Sequence, residues 1–433
     1  MSTYTIGTAG ILLFLGLILL GRMKIGLAMT LVGFVGYSVI VTPEAGLNLL
    51  GRRVYSTISD YGLAVVPLFI LMGELNFYSG LSSKLYDAAY KLCGKVPGGL
   101  AISTVFGCSF FAAICGSGPA TAAAMGTVAL PEMKKYKYDQ KFATGCVASG
   151  GTLGILIPPS LSFILYGIMA EQSIGKLFIA GILPGILLAI LFCGYIYCYA
   201  KCNPVKVPTI TYTIAFKEKI MSIFKIWDSI LLLVFVLGGL YFGLFTPTEA
   251  GALGVFGSLV IAIMTKSFTF ARLIGALEDT LKLSGMIFII IIGAIIFSNF
   301  LAVTKISMAM GDLATRLNPY MLLAFISFAA FIAGCIMDAP GMIALLVPVF
   351  LPAVVKAGFD PIWFGVLITL LAQMGLVSPP VGLNVYAVAG ITRDVKLNEI
   401  FAGVMPFIVA MVICMIVIII FPQVASFLPN RMK

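Results

Sequence analysis

The chain of 433 residues is 61% hydrophobic and only 10% charged, and its mean hydropathy is +1.12. A soluble fold of this length needs more polar surface, so the composition excludes a water-soluble protein and indicates a chain embedded in lipid. The formal net charge of +10 comes from lysines and arginines in short loops between apolar runs, so it indicates orientation in the membrane and not a nucleic-acid partner.

Apolar runs start near the N-terminus and continue along the chain. At about 1.5 Å per helical residue, runs such as residues 5–21 and 284–303 cross or nearly cross a hydrocarbon layer of roughly 30 Å. We predict on the order of a dozen membrane-embedded segments. No charged residue precedes Arg22 and Lys24, which predicts a retained first span with the N-terminus on the periplasmic side.

Lysines and prolines interrupt the apolar pattern once, in the middle of the chain. Residues 201–227 are predicted to form a cytoplasmic connector between a first half, residues 1–200, and a second half, residues 228–433.

Each half contains an apolar region that glycine and proline interrupt. In the first half, C-G-S-G-P-A-T at residues 115–121 is followed by G-G-T-L-G-I-L-I-P-P-S at residues 150–160. In the second half, M-D-A-P-G-M at residues 337–342 is followed by M-G-L-V-S-P-P at residues 374–380.

The two regions repeat one another at a constant spacing along the chain. This repeat spacing pairs Pro119 with Pro340, Pro131 with Pro352, Gly154 with Gly375, Pro158 with Pro379 and Pro159 with Pro380. Chance placement of prolines does not give so many matches without a gap, so the pattern indicates an internal duplication.

Charge predicts that the two copies face opposite sides of the membrane. Four lysines follow the Leu130-Pro131 pair, whereas the equivalent stretch after Pro352 carries Lys356 and Asp360. A parallel repeat would place similar charge at both positions, so inverted topology is favoured.

The proline pairs Pro158-Pro159 and Pro379-Pro380 predict broken transmembrane helices. Proline lacks a donor and clashes with the preceding turn, which leaves carbonyl groups without helical partners. In lipid such a break is stable where protein, water or an ion satisfies the free groups. Carbonyls at the ends of half-helices are suited to coordinate sodium.

Two further interruptions predict the tips of re-entrant helical hairpins. Gly116 and Gly118 allow close backbone approach around Ser117, and Asp338 with Pro340 occupies the equivalent place in the second half. Two tips and two broken helices would enclose a solute and its coupling ions near the middle of the bilayer. The alternative interpretation of these glycines is close helix packing through small residues.

Other residues leave alternatives open. Glu74 is a carboxylate within an apolar run, where it either functions in transport or braces the scaffold. Trp227 and Trp363 are interpreted as interfacial anchors. The nine cysteines form no C-x-x-C pair, and the chain has no histidine. A zinc site and a Ser-His pair are therefore disfavoured, and with them an intramembrane enzyme.

Five motifs resemble those of the large membrane (M, or DctM-type) subunit of tripartite ATP-independent periplasmic (TRAP) transporters. They are V-P-L-F-I-L-M-G-E-L at residues 66–75, C-G-S-G-P-A-T-A-A-A-M-G at 115–126, G-T-L-G-I-L-I-P-P-S at 151–160, F-T-P-T-E-A-G at 245–251 and G-L-V-S-P-P-V-G-L-N at 375–384. Together they span nearly the whole chain.

The resemblance implies an all-α polytopic protein of the bacterial inner membrane with an inverted repeat and an elevator mechanism. It also implies inward sodium coupling, a small membrane (Q-type) subunit, and a periplasmic binding protein that delivers an organic acid. The implied sodium-binding residues are Ser117, Gly118, Pro119, Ala120, Gly150, Gly151, Thr152 and Gly154 in the first half and Asp338, Ala339, Pro340, Gly341, Met374, Gly375 and Ser378 in the second. The implied substrate-binding residues are Thr121, Pro158, Pro159, Ser160, Pro379, Pro380 and Asn384.

The chain departs from the family pattern at two places. Gly21-Arg22-Met23 replaces the usual G-x-P after the first span, and the chain starts with that span instead of a fused small subunit. We therefore expect a small subunit on a separate polypeptide. The alternative function is a stand-alone sodium-coupled carboxylate carrier that needs no binding protein. The residues do not identify the organic acid. Because few cationic side chains lie deep in the apolar runs, we expect half-helix N-termini and hydroxyls to hold the anion.

Overall fold

The computed structural model describes residues 3–209, 216–392 and 394–432, and these residues form helices and turns without strands. The predicted all-α architecture is therefore confirmed. Residues 210–215, which belong to the predicted connector, lie outside the described residues.

Ten α-helices precede the connector. They are α1 Thr3–Leu19, α2 Ile25–Ile40, α3 Pro43–Ile58, α4 Val65–Tyr78, α5 Leu81–Cys93, α6 Gly99–Cys115, α7 Gly118–Lys135, α8 Gln140–Leu156, α9 Leu161–Met169 and α10 Ile174–Cys202. A short 3-10 helix, Tyr61–Ala64, leads directly into α4.

Eleven α-helices follow in the described part of the chain after residue 215. They are α11 Phe216–Phe224, α12 Trp227–Tyr241, α13 Pro247–Met264, α14 Phe270–Val303, α15 Ile306–Arg316, α16 Pro319–Ile336, α17 Ala339–Lys356, α18 Pro361–Val377, α19 Leu383–Ile391, α20 Leu397–Ile420 and α21 Gln423–Ser426. A last 3-10 turn covers Pro429–Arg431.

Seven helical segments are long and apolar enough to cross a membrane, or eight if the pair α8 and α9 is one span. The axes of that pair differ by 42° at the break between them. Five further apolar helices, including α6 and α18, are shorter. These counts, which cover the described residues, agree with the prediction of about a dozen embedded segments and define a multi-pass membrane protein.

The sequence repeat reappears in the helix boundaries. The repeat spacing that pairs Pro119 with Pro340 also pairs both ends of α7 with both ends of α17, and both ends of α8 with both ends of α18. Both predicted hairpins, α6–α7 and α16–α17, are present, and both predicted helix breaks are present, between α8 and α9 and between α18 and α19. The main difference is that the single helix α14, of 34 residues, corresponds to the separate helices α3 and α4.

Equivalent helices pack reciprocally. Helix α9 packs on α17, and α19 packs on α7, so each broken helix contacts the hairpin of the other half. Likewise α2 packs on α14, and α13 packs on α4. At the α2–α14 crossing, a Cβ atom on Gly26 would lie 2.7 Å from the backbone of Ile289. Small residues therefore serve helix packing here, away from the hairpin tips.

Local sequence explains where the hairpins turn. The first hairpin turns at Gly116, whose φ of 66° is left-handed, and α7 then starts with Pro119 in its first turn. In the second hairpin Asp338 is the N-cap of α17, and its Oδ1 accepts from the Gly341 N–H at 3.1 Å. In both hairpins the second helix therefore starts immediately after a short, sharp turn.

The two tryptophans differ in exposure. Trp227 is 54% exposed at the start of α12, as an anchor requires. The prediction is wrong for Trp363, which is 2% exposed and whose indole N–H donates to the Ile418 carbonyl at 3.0 Å. Its amphipathic ring satisfies its polar atom inside the protein instead of at the lipid headgroups.

Candidate functional site

The tip of the first hairpin packs on the C-terminal half of α8. A Cβ atom on Gly154 would lie 2.7 Å from both the Ser117 carbonyl oxygen and the Thr121 hydroxyl oxygen. A Cβ atom on Gly151 would lie 2.8 Å from the Gly118 carbonyl oxygen. Glycine at both positions is therefore required for this approach, which brings five of the predicted site residues together.

Asn384 of α19 reaches the same place from the second half. Its side chain is fully buried, and its Nδ2 donates to the Ala148 carbonyl of α8 at 3.1 Å. A Cβ atom on Gly118 would lie 3.2 Å from Asn384 Oδ1, so this oxygen faces the hairpin tip. We call the group Ser117, Gly118, Thr121, Gly151, Gly154 and Asn384 the hairpin 1 site.

Several buried oxygens at or near the hairpin 1 site lack hydrogen-bond partners. Among the described residues, Thr121 Oγ1 and Asn384 Oδ1 are buried without a partner, as is Ser149 Oγ on α8. An unpaired polar atom in an apolar interior costs about 1–3 kcal/mol. Oxygens of this kind are the ligands that a hard cation prefers. The hairpin 1 site thus has free oxygen ligands and no fixed charge.

The first helix break lies against the other side of the hairpin tip. A Cβ atom on Gly116 would lie 2.7 Å from the Pro159 carbonyl oxygen, and Cys115 and Ser160 border a small crevice at this contact. Ser160 precedes α9, and its hydroxyl oxygen is buried without a partner in the described part of the chain. Pro158, Pro159 and Ser160 are all buried, next to the tip.

Four other predicted ligands of the first half lie outside the hairpin 1 site. The Thr152 hydroxyl donates to the Ser149 carbonyl at 2.6 Å, within its own helix. A Cβ atom on Gly150 would point at Cys108 of α6, 2.8 Å from its sulfur, so at this level α8 meets the first arm of the hairpin and not its tip. Pro119 and Ala120 are half-buried in the first turn of α7.

The second hairpin and the second break form a separate cluster. Gly375 of α18 crosses Gly334 of α16 so closely that a Cβ atom would lie 2.5 Å from the Gly334 Cα atom. The Ser378 hydroxyl donates to the Met374 carbonyl at 2.7 Å. After the break, the Val381 N–H donates to the Cys335 carbonyl at 3.4 Å.

The tip of the second hairpin faces the scaffold. A Cβ atom on Gly341 would meet the Ile25 side chain of α2 and Asp338 Oδ1. Ala339 is buried and Pro340 half-buried beside it. No hydrogen bond between described residues joins Asp338 to the hairpin 1 site, and the two groups of predicted ligands lie on different hairpins and different broken helices.

The two equivalent breaks differ in exposure. Pro158 and Pro159 are buried, whereas Pro379 and Pro380 are exposed. Ser378, immediately before the exposed pair, is 2% exposed. The second break is therefore exposed at its two prolines and buried at the serine that precedes them.

Gln373 is a buried polar residue that the sequence reading missed. It lies on α18, at the position that the repeat spacing pairs with Thr152. In the amide orientation that satisfies both atoms, Nε2 donates to the Thr152 carbonyl at 3.1 Å and Oε1 accepts from the Leu156 N–H at 3.2 Å. The repeat spacing indicates this residue, because it pairs Gln373 with Thr152, which belongs to the predicted site.

Replacing Gln373 with methionine is expected to lower the free energy of unfolding of the purified protein by about 1 kcal/mol, because it removes both hydrogen bonds between α18 and α8. Methionine has nearly the same volume, so the packing is preserved. Gln373→Glu should cost more, since a carboxylate would face the Thr152 carbonyl oxygen. Thermal unfolding in detergent measures both. Equal stability of all three proteins would contradict the bridging role.

Helix α4 contacts the hairpin tip next to Glu74. A Cβ atom on Gly73 would lie 3.0 Å from the Ile114 carbonyl oxygen and 3.2 Å from that of Cys115. Glu74 itself is half-buried. Its carboxylate is thus one residue from a helix contact with the hairpin.

The chemistry of the described residues suits ion and solute binding. They contain no cluster of three or more histidine, cysteine, aspartate or glutamate residues that would hold a metal ion. The donors at the hairpin 1 site are neutral carbonyl, amide and hydroxyl oxygens. A bundle of membrane-spanning helices that encloses such donors between a hairpin, a broken helix and Asn384 defines a membrane transport protein.

The chain belongs to the DctM component family of tripartite ATP-independent periplasmic transporters, whose family model matches residues 11–424. Family membership confirms the resemblance of the five motifs and makes the chain a transporter permease subunit, not an enzyme.

Two TRAP permeases and one solved structure are similar to this chain. The chain is 34% identical to the C4-dicarboxylate TRAP transporter large permease protein DctM of Pseudomonas aeruginosa, over 90% of this chain and 91% of that protein. It is 32% identical to the isethionate TRAP transporter permease protein DctMQ of Oleidesulfovibrio alaskensis, over 90% of this chain and 61% of that protein. The crystal structure of the Alcanivorax borkumensis YdaH transporter shares the fold at a TM-score of 0.56, with 14% identity over 89% of this chain and 88% of that one.

Proposed function

We propose that this chain imports a small organic acid with sodium across the bacterial inner membrane, as the transport subunit of a TRAP system. The observation that supports this most directly is the hairpin 1 site, where buried oxygens from both halves converge without partners. Thr121 and Asn384, which the resemblance assigns to the substrate, are here assigned to sodium. An ion bound at this site would be coordinated by Thr121 Oγ1 and Asn384 Oδ1 together with backbone carbonyls of the tip and of α8.

The second sodium cluster is assigned to hairpin 2 and the second break. Its members are Asp338, Ala339, Pro340, Gly341, Met374, Gly375 and Ser378. Asp338 supplies the one carboxylate in this set, and one of its oxygens is occupied by the cap bond to Gly341. We assign the other oxygen to the cation.

A small organic anion is the proposed solute. The two relatives named above are assigned to C4-dicarboxylate and to isethionate, both small organic acids. Helix α9 starts at Leu161 and α19 starts at Leu383, each directly after a break. The partial positive charge at these N-termini would attract the anion, and Ser160 would donate to it.

The proposed partners are a small membrane subunit and a periplasmic binding protein. The family is named as tripartite and periplasmic, and one relative bears the combined name DctMQ. We propose an elevator movement of the two hairpins and broken helices against the scaffold, supported by the reciprocal packing of α9 and α19 and by the unequal exposure of the two breaks. The proposed orientation places the N-terminus in the periplasm.

Uptake into proteoliposomes tests the proposal. The liposomes hold this chain with a small TRAP membrane subunit, and uptake of a labelled C4-dicarboxylate and of isethionate is measured with and without an inward sodium gradient and a matching binding protein. Uptake that needs all components supports the proposed function. Sodium-driven uptake without the binding protein would favour the stand-alone carboxylate carrier.

Replacing Asp338 or Ser117 with alanine is expected to impair sodium-dependent uptake without preventing membrane insertion. Asp338→Ala removes an N-cap, which costs about 1 kcal/mol, and also a proposed sodium ligand. Ser117→Ala keeps the backbone carbonyl but removes the hydroxyl at the hairpin tip, which we assign to the ion as a further ligand. The matched control is Asp360→Ala, because Asp360 caps α18 by accepting from the Trp363 N–H at 2.8 Å and lies outside the proposed sodium set. Wild-type uptake by Asp338→Ala and Ser117→Ala would refute the assigned sites.

A further inference from the structure

An apolar groove of about 700 Å³ lies between α6, α10 and α12. Its walls are mainly hydrocarbon side chains, and Ile157 and Pro158 of the first break close one end. Along α6 the lining extends from Ile102 to Ala113. This stretch of helix covers about 16 Å, which is close to half of a hydrocarbon layer of roughly 30 Å. The groove therefore has the depth of one membrane leaflet.

The end of the groove opposite Pro158 is cationic. The start of α6 packs on the end of α10, since a Cβ atom on Gly98 would lie 2.8 Å from the Ile196 side chain and 3.2 Å from that of Ala200. Lys95 precedes this contact by three residues, and Lys201 follows Ala200 directly. Both side chains are exposed. Two ammonium groups thus lie near the end of the groove that Ile102 and Tyr197 line.

A third lysine joins them from the connector. Helix α11 packs on α5, whose last residue is Cys93. Burial raises the pKa of the Cys93 thiol, and the nearby Lys219 ammonium partly offsets this increase. Among the described residues, Lys95, Lys201 and Lys219 take part in none of the ion pairs. Glu218 is the one acidic neighbour on α11. The net charge at this end is positive.

We infer that the groove binds an anionic phospholipid, with an acyl chain along α6 and α10 and the phosphate beside Lys95, Lys201 and Lys219. The apolar walls match a hydrocarbon chain, and unpaired lysines at the membrane surface attract an anionic headgroup. The alternative occupant, a helix of another protein, does not account for three unpaired cations at one end. This lipid site is distinct from the proposed sodium and solute sites. The inner end of the bound acyl chain would reach Pro158, which lies behind the hairpin 1 site.

Gly194 provides a variant that fills the groove. It lines the groove on α10, and a Cβ atom there would meet nothing within 4 Å. Gly194→Leu therefore occupies space that the lipid needs without a clash inside the protein. The matched control is Gly285→Leu on α14, where a Cβ atom also meets nothing within 4 Å and which lies outside the groove. Lys201→Gln tests the headgroup, and Lys176→Gln at the other end of the same helix is its control.

Native mass spectrometry of the full chain in detergent measures the affinity for dioleoyl phosphatidylglycerol and for dioleoyl phosphatidylcholine. Wild-type protein should prefer phosphatidylglycerol. Gly194→Leu should weaken binding of both lipids by about tenfold, the effect of displacing two methylene groups. Lys201→Gln should weaken phosphatidylglycerol alone by about fivefold. The controls should bind both lipids as wild type does.

Two results would overturn the inference. The first is equal affinity of wild-type protein for both lipids, and the second is wild-type affinity in Gly194→Leu. If Gly194→Leu binds lipid normally but no longer copurifies with a coexpressed small TRAP subunit, the groove holds a protein helix and the lipid assignment is wrong.

Discussion

Asn384→Ala is expected to lower sodium-dependent uptake by at least about tenfold, because the substitution removes a buried oxygen from the hairpin 1 site. Asn384 Oδ1 has no hydrogen-bond partner among the described residues and faces Gly118 at the hairpin tip. If this oxygen binds sodium, its loss raises the sodium concentration needed for half-maximal uptake. Proteoliposome uptake measured over a range of sodium concentrations gives this value directly.

A second buried asparagine provides the control. Asn76 of α4 is 2% exposed, and its Nδ2 donates to the Met72 carbonyl and to the Ser258 hydroxyl, each at 2.7 Å. Asn76→Ala also deletes a buried amide from the bundle, but it does so within the scaffold helices α4 and α13. We expect it to lower thermal stability and leave the sodium dependence unchanged. An equal rise in both variants would show that Asn384 acts through stability and not as a ligand.

The sequence predicted the site where local chemistry alone determines the backbone. Single prolines remain inside helices such as α7, α10, α17 and α20, but an adjacent pair of prolines removes two successive donors, so the breaks at Pro158-Pro159 and Pro379-Pro380 could be predicted from the sequence alone. The tips at Gly116 and Asp338 could also be predicted, because glycine and proline determine the local backbone there. The constant repeat spacing then predicted both copies at once. Helix boundaries follow this spacing in the structure, as for α8 and α18.

Contacts between the two halves could not be predicted from the sequence. Nothing in the sequence indicates that Asn384 bonds to Ala148, because the pairing depends on how α19 packs across α7 and α8. For Gln373 the repeat spacing indicated the residue but not its partners, because Thr152 and Leu156 belong to the opposite half. The level at which α8 meets the hairpin tip was also not predictable. Gly150 and Gly154, one turn apart on nearly the same face of α8, therefore entered the predicted site together, although Gly154 contacts the tip and Gly150 contacts Cys108 on α6.

The two halves meet through their broken helices. Each half-helix that follows a break packs on the hairpin of the other half, so α9 joins α17 and α19 joins α7. We therefore expect a displacement of one hairpin to move the other half's broken helix as well, because the two pack directly on each other. This connection is the physical basis on which both clusters would move together in the proposed elevator step.

Gly154→Ala is expected to abolish most sodium-dependent uptake. The added methyl group would lie 2.7 Å from the Ser117 carbonyl oxygen, inside van der Waals contact, so the hairpin tip must move away from α8. Overpacking of this kind costs typically about 1–3 kcal/mol. A shift of the tip also separates the oxygens that would share one ion, and we expect a loss of at least about tenfold in apparent sodium affinity. Uptake at several sodium concentrations measures it.

Gly150→Ala is the matched control, one turn away on the same helix. Its methyl group would lie 2.8 Å from the Cys108 sulfur on α6, so the crowding is comparable but falls on the first arm of the hairpin, about two helical turns before the tip. Both variants should unfold at lower temperature than wild type, and Gly150→Ala should keep the wild-type sodium dependence because its backbone carbonyl remains. If the two variants lose sodium affinity equally, crowding anywhere on α8 is sufficient, and the assignment of the ion to the contact between α8 and the hairpin tip is wrong.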